Sequence, residues 1–167
     1  MPTRVKRSEF AAFLKTGETG TPPTPTWSRM GKGITGQTIS YNPTVTTEQY
    51  IDEDNATSFV DAYAPSINTP QTCYAGEAVF DYVDSLRQGR AVGAAAETKV
   101  LLVYIYEADS STPPKYAAEQ CDATISIEEF GGDAGAPTQI TYTINLNGDP
   151  TPGTCTITGG VPSFTAS

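Results

Sequence analysis

Asp52-Glu53-Asp54-Asn55 places three carboxylates and an amide in succession, the ligand types that a hard cation takes. The run lacks the spaced ligands, the turn glycine and the distal Glu of an EF-hand loop, so no calcium site follows from it. Two neighbouring carboxylates are also what a glycosidase needs. Yet 19 acidic residues are spread through the chain and no second element selects a pair. Phe130-Gly131-Gly132-Asp133-Ala134-Gly135 is glycine-rich, but it carries no Lys-Ser/Thr and opens no helix. That removes a phosphate-cradling loop and leaves a connection between two long strands. Arg87-Gln88-Gly89-Arg90 is too short for a nucleic-acid patch. Cys73, Cys121 and Cys155 are odd in number and have no CxxC spacing, which fits three reduced thiols of a cytosolic product rather than a disulfide framework or a zinc cluster. The chain contains no histidine, which excludes Ser-His-Asp and Cys-His nucleophilic sites and His-based zinc sites. The expectation is a protein that is not an enzyme and holds no metal or cofactor.

The elements that carry these residues read mostly as strands. Charged residues are 17% of the 167, below the roughly 25% of an ordinary soluble domain. Threonine (25), glycine (15) and proline (13) take their place. Residues 1–32 hold six basic side chains against two acidic ones, and the remaining 135 hold four against 17. An overall charge of −9 argues against general nucleic-acid binding, which depends on neutralising phosphates. The asymmetry fits a basic, mobile N-terminus on an acidic domain, or a basic arm of one copy lying on the acidic body of the next. The charged start, residues 1–10, is not followed by the apolar core of a signal peptide. The longest apolar run, residues 100–106, is too short to cross a bilayer.

Residues 4–14 fit a short helical turn or an extended arm, and residues 17–26 (GETGTPPTPT) a semi-extended linker. Trp27, the only tryptophan, is either a core anchor or an interface anchor. Residues 38–41 and 44–51 read as strands separated by Asn42-Pro43. Residues 51–64 fit a loop with short structure or a helical turn. Residues 66–75 look extended, with Pro70 implying an edge position or a bulge. Residues 76–88 form a helix: Val79, Val83 and Leu86 share a face widened by Phe80 and Tyr82. Glu77 and Asp81 lie near its start, Arg87 in its last turn, and Gly89 supplies the stop. Residues 99–107 are apolar on both faces, as in a strand covered on both sides. Residues 117–130 are extended and 139–147 alternate cleanly. Asn147-Gly148-Asp149 then reads as a turn before a last short strand at 154–158. This predicts a mainly β protein of two packed sheets, a β-sandwich or partly open barrel of 7–8 strands, with one helix and an extended N-terminal arm.

Several strings recur in an order and spacing that resemble the major tail proteins, or tail tube proteins, of long-tailed, non-contractile (siphovirus-type) bacteriophages. They are Trp27-Ser28-Arg29-Met30-Gly31-Lys32-Gly33, Ile39-Ser40-Tyr41-Asn42-Pro43, Glu48-Gln49-Tyr50-Ile51, Val79-Phe80-Asp81-Tyr82-Val83-Asp84, Arg90-Ala91-Val92-Gly93 and Phe130-Gly131-Gly132-Asp133. The resemblance runs from about residue 4 to residue 158.

It implies a structural virion protein, assembled in the host cytoplasm, whose hexameric rings stack into the tail tube that conducts DNA during ejection. Four strands per subunit would close a 24-stranded inner barrel. With strands about 4.8 Å apart and tilted about 40°, its backbone diameter is roughly 48 Å, wide enough for duplex DNA. The resemblance divides the chain into an arm and linker (1–27) and one tube domain (28–167) with a ring-stacking loop at 51–64. It expects no C-terminal immunoglobulin-like domain, which some relatives carry. Contacts between copies are expected at Arg4, Lys6, Arg7, Phe10, Phe13, Trp27, Tyr50, Asp52, Glu53, Asp54, Phe59 and Tyr63. The implied partners are further copies of the chain, a tape measure protein, a tail terminator and tail-tip proteins. Genomic DNA would pass without specific binding, and no membrane is involved. An acidic bore would keep phosphate from sticking. The alternative is a monomeric β-sandwich module that binds carbohydrate or decorates a capsid, for which the nine tyrosines would have to build an aromatic platform.

Overall fold

The computed structural model describes all 167 residues. Ten strands and one α-helix make up the fold. The first two strands are β1 (Phe10–Thr19) and β2 (Thr24–Arg29), followed by β3 (Thr38–Ser40), β4 (Pro43–Glu48), β5 (Thr57–Tyr63) and β6 (Ser66–Thr72). The helix α1 (Ala78–Gly89) precedes β7 (Glu97–Ala108), β8 (Tyr116–Gly131), β9 (Gln139–Thr158) and β10 (Val161–Ala166). Eight strands form one antiparallel sheet in the order β2-β1-β7-β8-β9-β6-β3, with β10 on the far half of β9, while β4 and β5 form a separate ribbon. The sheet curls until β10 meets β2, which gives the expected layered β architecture with a single α-helix.

Two apolar clusters occupy opposite faces of β1 and β7. Ala12, Leu14, Val100 and Leu102 join α1, Ile67, Ile140, Tyr142 and Ile144 on one side. Ala11, Phe13, Leu101 and Val103 join Ala118 and Cys155 on the other, with Trp27 and Phe164 packed against them. Four consecutive buried residues, Val100 to Val103, are what a strand covered on both faces requires, as its apolar run predicts. At the far end of the sheet Gly153 faces Phe164 so closely that an added Cβ would lie 2.7 Å from its ring.

Within residues 1–27, expected as an arm and linker, the structure places β1 and the first part of β2 in the large sheet. Residues 1–6 are exposed and without regular structure, Arg7–Glu9 make a 3₁₀ turn, and β1 then runs through the interior of the sheet between β2 and β7. The apolar stretch from Phe10 to Leu14 has too much surface to leave in water. The Pro- and Thr-rich segment after it is tolerated because β2 is an edge strand. Trp27 is half-buried, so it anchors the second cluster while keeping an exposed margin.

The turn expected at Asn147-Gly148-Asp149 is a bulge. Gln120 pairs with Thr151 and Asp122 with Asn147, so three residues of β9 oppose Cys121 alone. Gly148 takes up the kink at φ +64° and the strand continues to Thr158. The helix ends at Gly89, but the left-handed residue is Arg90, at φ 46°. Pro70 sits where its missing N–H does no harm: β3 pairs only with Ser66 to Asn68 and the Gly33 carbonyl takes the Thr72 amide, so the outer side of β6 has no strand partner at Pro70 itself.

Candidate functional site

The outward face of the sheet, opposite α1, is built by alternation. Along β9 the inward Ile140, Tyr142 and Ile144 are sealed from water, and the intervening Thr141, Thr143 and Asn145 point the other way. Thr124, Ser126 and Glu128 of β8, Asn68 and Pro70 of β6, and Thr38 and Ser40 of β3 continue that face. Its polar groups bond across strands. Asn68 Nδ2 donates to Thr143 Oγ1 at 3.3 Å and to Glu128 Oε2 at 3.4 Å, Thr143 Oγ1 donates to Glu128, and Asn147 Nδ2 donates to Thr124 Oγ1 at 2.7 Å. The cation beside it, Lys99, is held by Asp122 at 2.5 Å. The surface is a neutral hydroxyl-and-amide layer with isolated carboxylates and no free positive charge to hold phosphate.

Both ends of this four-strand portion are open. β8 has β7 as its second neighbour only as far as Thr124, so Ile125 to Gly131 pair on one side alone. The outer side of β3 is likewise unpaired. Free edges are templates for pairing with another chain.

The ribbon stands out from the body. Every residue of β4 and β5 is exposed, including Val45, Phe59, Val60 and Tyr63, and Ile51 at its tip is fully so. Of the two alternatives for residues 51–64, the structure takes the loop with short structure: residues 51–56 are the tip of a hairpin and Thr57–Tyr63 its returning strand, with no helical turn. The tip is ordered from within: Gln49 Nε2 donates to the carbonyls of Glu53 and Asp54, each at 3.3 Å, and the Tyr50 hydroxyl donates to Glu48 Oε2 at 2.8 Å. That bond to a carboxylate raises the Tyr50 hydroxyl's pKa. Asp52, Glu53 and Asp54 do not gather into a group able to hold a metal ion.

Of the residues expected to meet other copies, the structure exposes Arg4, Lys6, Arg7, Tyr50, Asp52, Glu53, Asp54, Phe59 and Tyr63. Phe10 is half-buried, stacked on Tyr104 at 5.6 Å with the Arg7 guanidinium 5.1 Å above its ring. Phe13 is different: it has no exposed surface and belongs to the core. Arg29 is not among the expected contacts, because one arginine in a strand of mixed residues carries no local signal of its neighbours. The structure places it beside Arg7 on one hollow.

At the ribbon's base a groove of about 920 Å³ runs over Leu102, Cys121 and Leu146, with Tyr41 and Tyr63 on one wall and Asp61, Glu119 and Asp149 around it. Burial, with the Glu119 charge second, pushes the Cys121 thiol up to about 11, so it stays protonated and unreactive at neutral pH. Burial and the Glu119 carboxylate likewise raise the Tyr104 hydroxyl, which donates to Glu119 at 3.1 Å. The two tyrosines that line this groove, Tyr41 and Tyr63, meet edge to face at 82°. They build no flat platform on which a sugar would stack.

No family model matches the chain, and no curated protein matches it in sequence. Solved structures do. The tail of an empty GTA particle, obtained by helical refinement with C6 symmetry, aligns over 98% of this chain and 100% of its own at TM-score 0.60 and 12% identity. The SPP1 tail tube, a hybrid solid-state NMR and cryo-EM structure, aligns over 98% of this chain and 81% of its own at TM-score 0.60 and 10% identity. At these identities the likeness is one of fold. The chain is folded like the subunits from which those two tails are built.

Proposed function

We propose that the protein is the tube-forming subunit of a long-tailed, non-contractile phage tail, stacking as hexameric rings into the conduit through which DNA leaves the particle. The observation that carries this reading is the four-strand sheet β8-β9-β6-β3, polar on one face, apolar on the other and open at both edges. Pairing the free stretch of β8 in one copy with β3 of the next removes both edges and closes a ring. Its polar face then lines the bore, and α1 lies outside. A wall of threonine, serine and asparagine with Glu128 and Asp122 lets a duplex slide, because it offers phosphate no unpaired cation. The exposed ribbon supplies the contact between rings.

In this role the chain performs no catalysis and needs no cofactor. Its partners are its own copies, followed by the tape measure, terminator and tip proteins that a tail of this kind requires. Sedimentation over a range of concentrations tests the reading. Species larger than a ring should accumulate as concentration rises, and a monomer across the whole range would contradict it.

A further inference from the structure

Ile51 projects from the ribbon tip with its side chain fully exposed, between Tyr50 and the three carboxylates of Asp52, Glu53 and Asp54. None of those carboxylates meets a cation: the ion pairs of the chain are Lys15–Glu18, Arg87–Asp84 and Lys99–Asp122. An exposed apolar side chain followed directly by three acids without cation partners lacks a complementary surface in its own chain. Such a surface exists elsewhere on the molecule. Between the 3₁₀ turn at Arg7–Glu9, the end of β2 and the segment leading to β3 lies a hollow of about 300 Å³. Phe10, Met30 and Ile34 give it an apolar floor, and Arg7 and Arg29 stand at its rim. The Arg7 guanidinium is fixed there by donation to the Phe10 carbonyl at 2.6 Å, and Arg29 forms no ion pair.

We propose that the ribbon tip of one copy seats in this hollow of a second copy. Ile51 covers the floor, and Asp52 and Asp54 face the guanidinium groups of Arg29 and Arg7. The assignment rests on the tube reading and specifies which surfaces join successive rings. Charge selects this hollow over the larger groove at the ribbon's base. That groove carries Asp61, Glu119 and Asp149, which would repel an acidic tip. Rim charges of this kind set register and are weakened by salt.

The test uses two full-length variants and their mixture. Arg7→Glu with Arg29→Glu makes both hollow and tip negative. Asp52→Lys with Asp54→Lys makes both positive. Each alone should need about tenfold or more higher concentration to polymerise than the unmodified chain, while remaining folded by circular dichroism. Mixed one to one, they should recover assembly, because each tip then meets a hollow of opposite sign. Unmodified chain that forms tubes, alongside a reversed variant that forms them equally well, overturns the seating and leaves the tube reading standing. Two impaired but folded variants that stay impaired on mixing overturn it as well. Unmodified chain that forms no tube removes the tube reading and the seating together.

Discussion

The Tyr142 hydroxyl donates to Gln71 Oε1 at 3.0 Å inside the core, and both side chains are sealed from water. Gln71 Nε2 in turn donates to the Lys32 carbonyl at 3.0 Å and to Glu77 Oε2 at 3.2 Å, and Glu77 caps α1 by accepting from the Phe80 amide at 2.7 Å. One amide thus ties together β6, β9, the segment after β2 and the start of the helix. Burial raises the Tyr142 hydroxyl's pKa, which keeps it a neutral donor.

Tyr142→Phe removes the donor and leaves the amide oxygen unpaired in the core. It should cost about 1–3 kcal/mol, read as a fall in Tm of about 2–4 °C per kcal/mol. Gln71→Ala should cost more, since it also strands the Lys32 carbonyl and loosens the helix cap. A Tyr142→Phe protein with unchanged Tm would mean that the network contributes nothing to stability.

Removal of residues 1–27 would take away β1 and part of β2, so the product should fail to fold rather than merely fail to assemble. Removal of residues 1–6, which are exposed and outside the sheet, should leave a folded protein by circular dichroism. Phe13→Ala should cost about 3–5 kcal/mol through the cavity it opens. Ile51→Ser, at a fully exposed position, should leave Tm unchanged. A Phe13→Ala chain as stable as the original would place that side chain at an interface instead.

Asp109 accepts from the Ser111 hydroxyl at 2.5 Å, from the Lys115 amide at 2.9 Å and from the Ser111 amide at 3.0 Å. These bonds lower its pKa, the hydroxyl contributing most. A carboxyl whose folded pKa is depressed stabilises the fold above its unfolded pKa and loses that contribution as pH falls through its folded value. Asp109→Ala should therefore lower Tm at neutral pH, and the gap to the original protein should shrink as the buffer is acidified below the ordinary carboxylate range. A gap independent of pH would show that ionised Asp109 does not hold the 109–115 loop.

Much of this fold is legible in the sequence where burial imposes a period. The helix follows from Val79, Val83 and Leu86, and β7 from its double-faced apolar run. The first half of β9 follows from Ile140, Tyr142 and Ile144 alternating with Thr141, Thr143 and Asn145. Legibility fails where local chemistry and tertiary pairing disagree. Asn147-Gly148-Asp149 carries turn residues, yet β8 continues alongside and converts them into a bulge. The prolines near Trp27 discourage a strand, but an edge position accommodates them. The ribbon shows no burial period because neither of its faces is buried in the monomer. For the same reason its acids read as a failed metal loop, and the hollow formed by Arg7 and Arg29, 22 positions apart in sequence, has no local signal.

The central claim is that this sheet closes between copies into a tube with its polar face inward. Electron microscopy of the concentrated protein tests it most directly. The account predicts stacked sixfold rings whose bore is lined by Thr124, Ser126, Glu128, Thr141 and Thr143, with the helix outside. A persistent monomer, or a tube with α1 facing the bore, would contradict it.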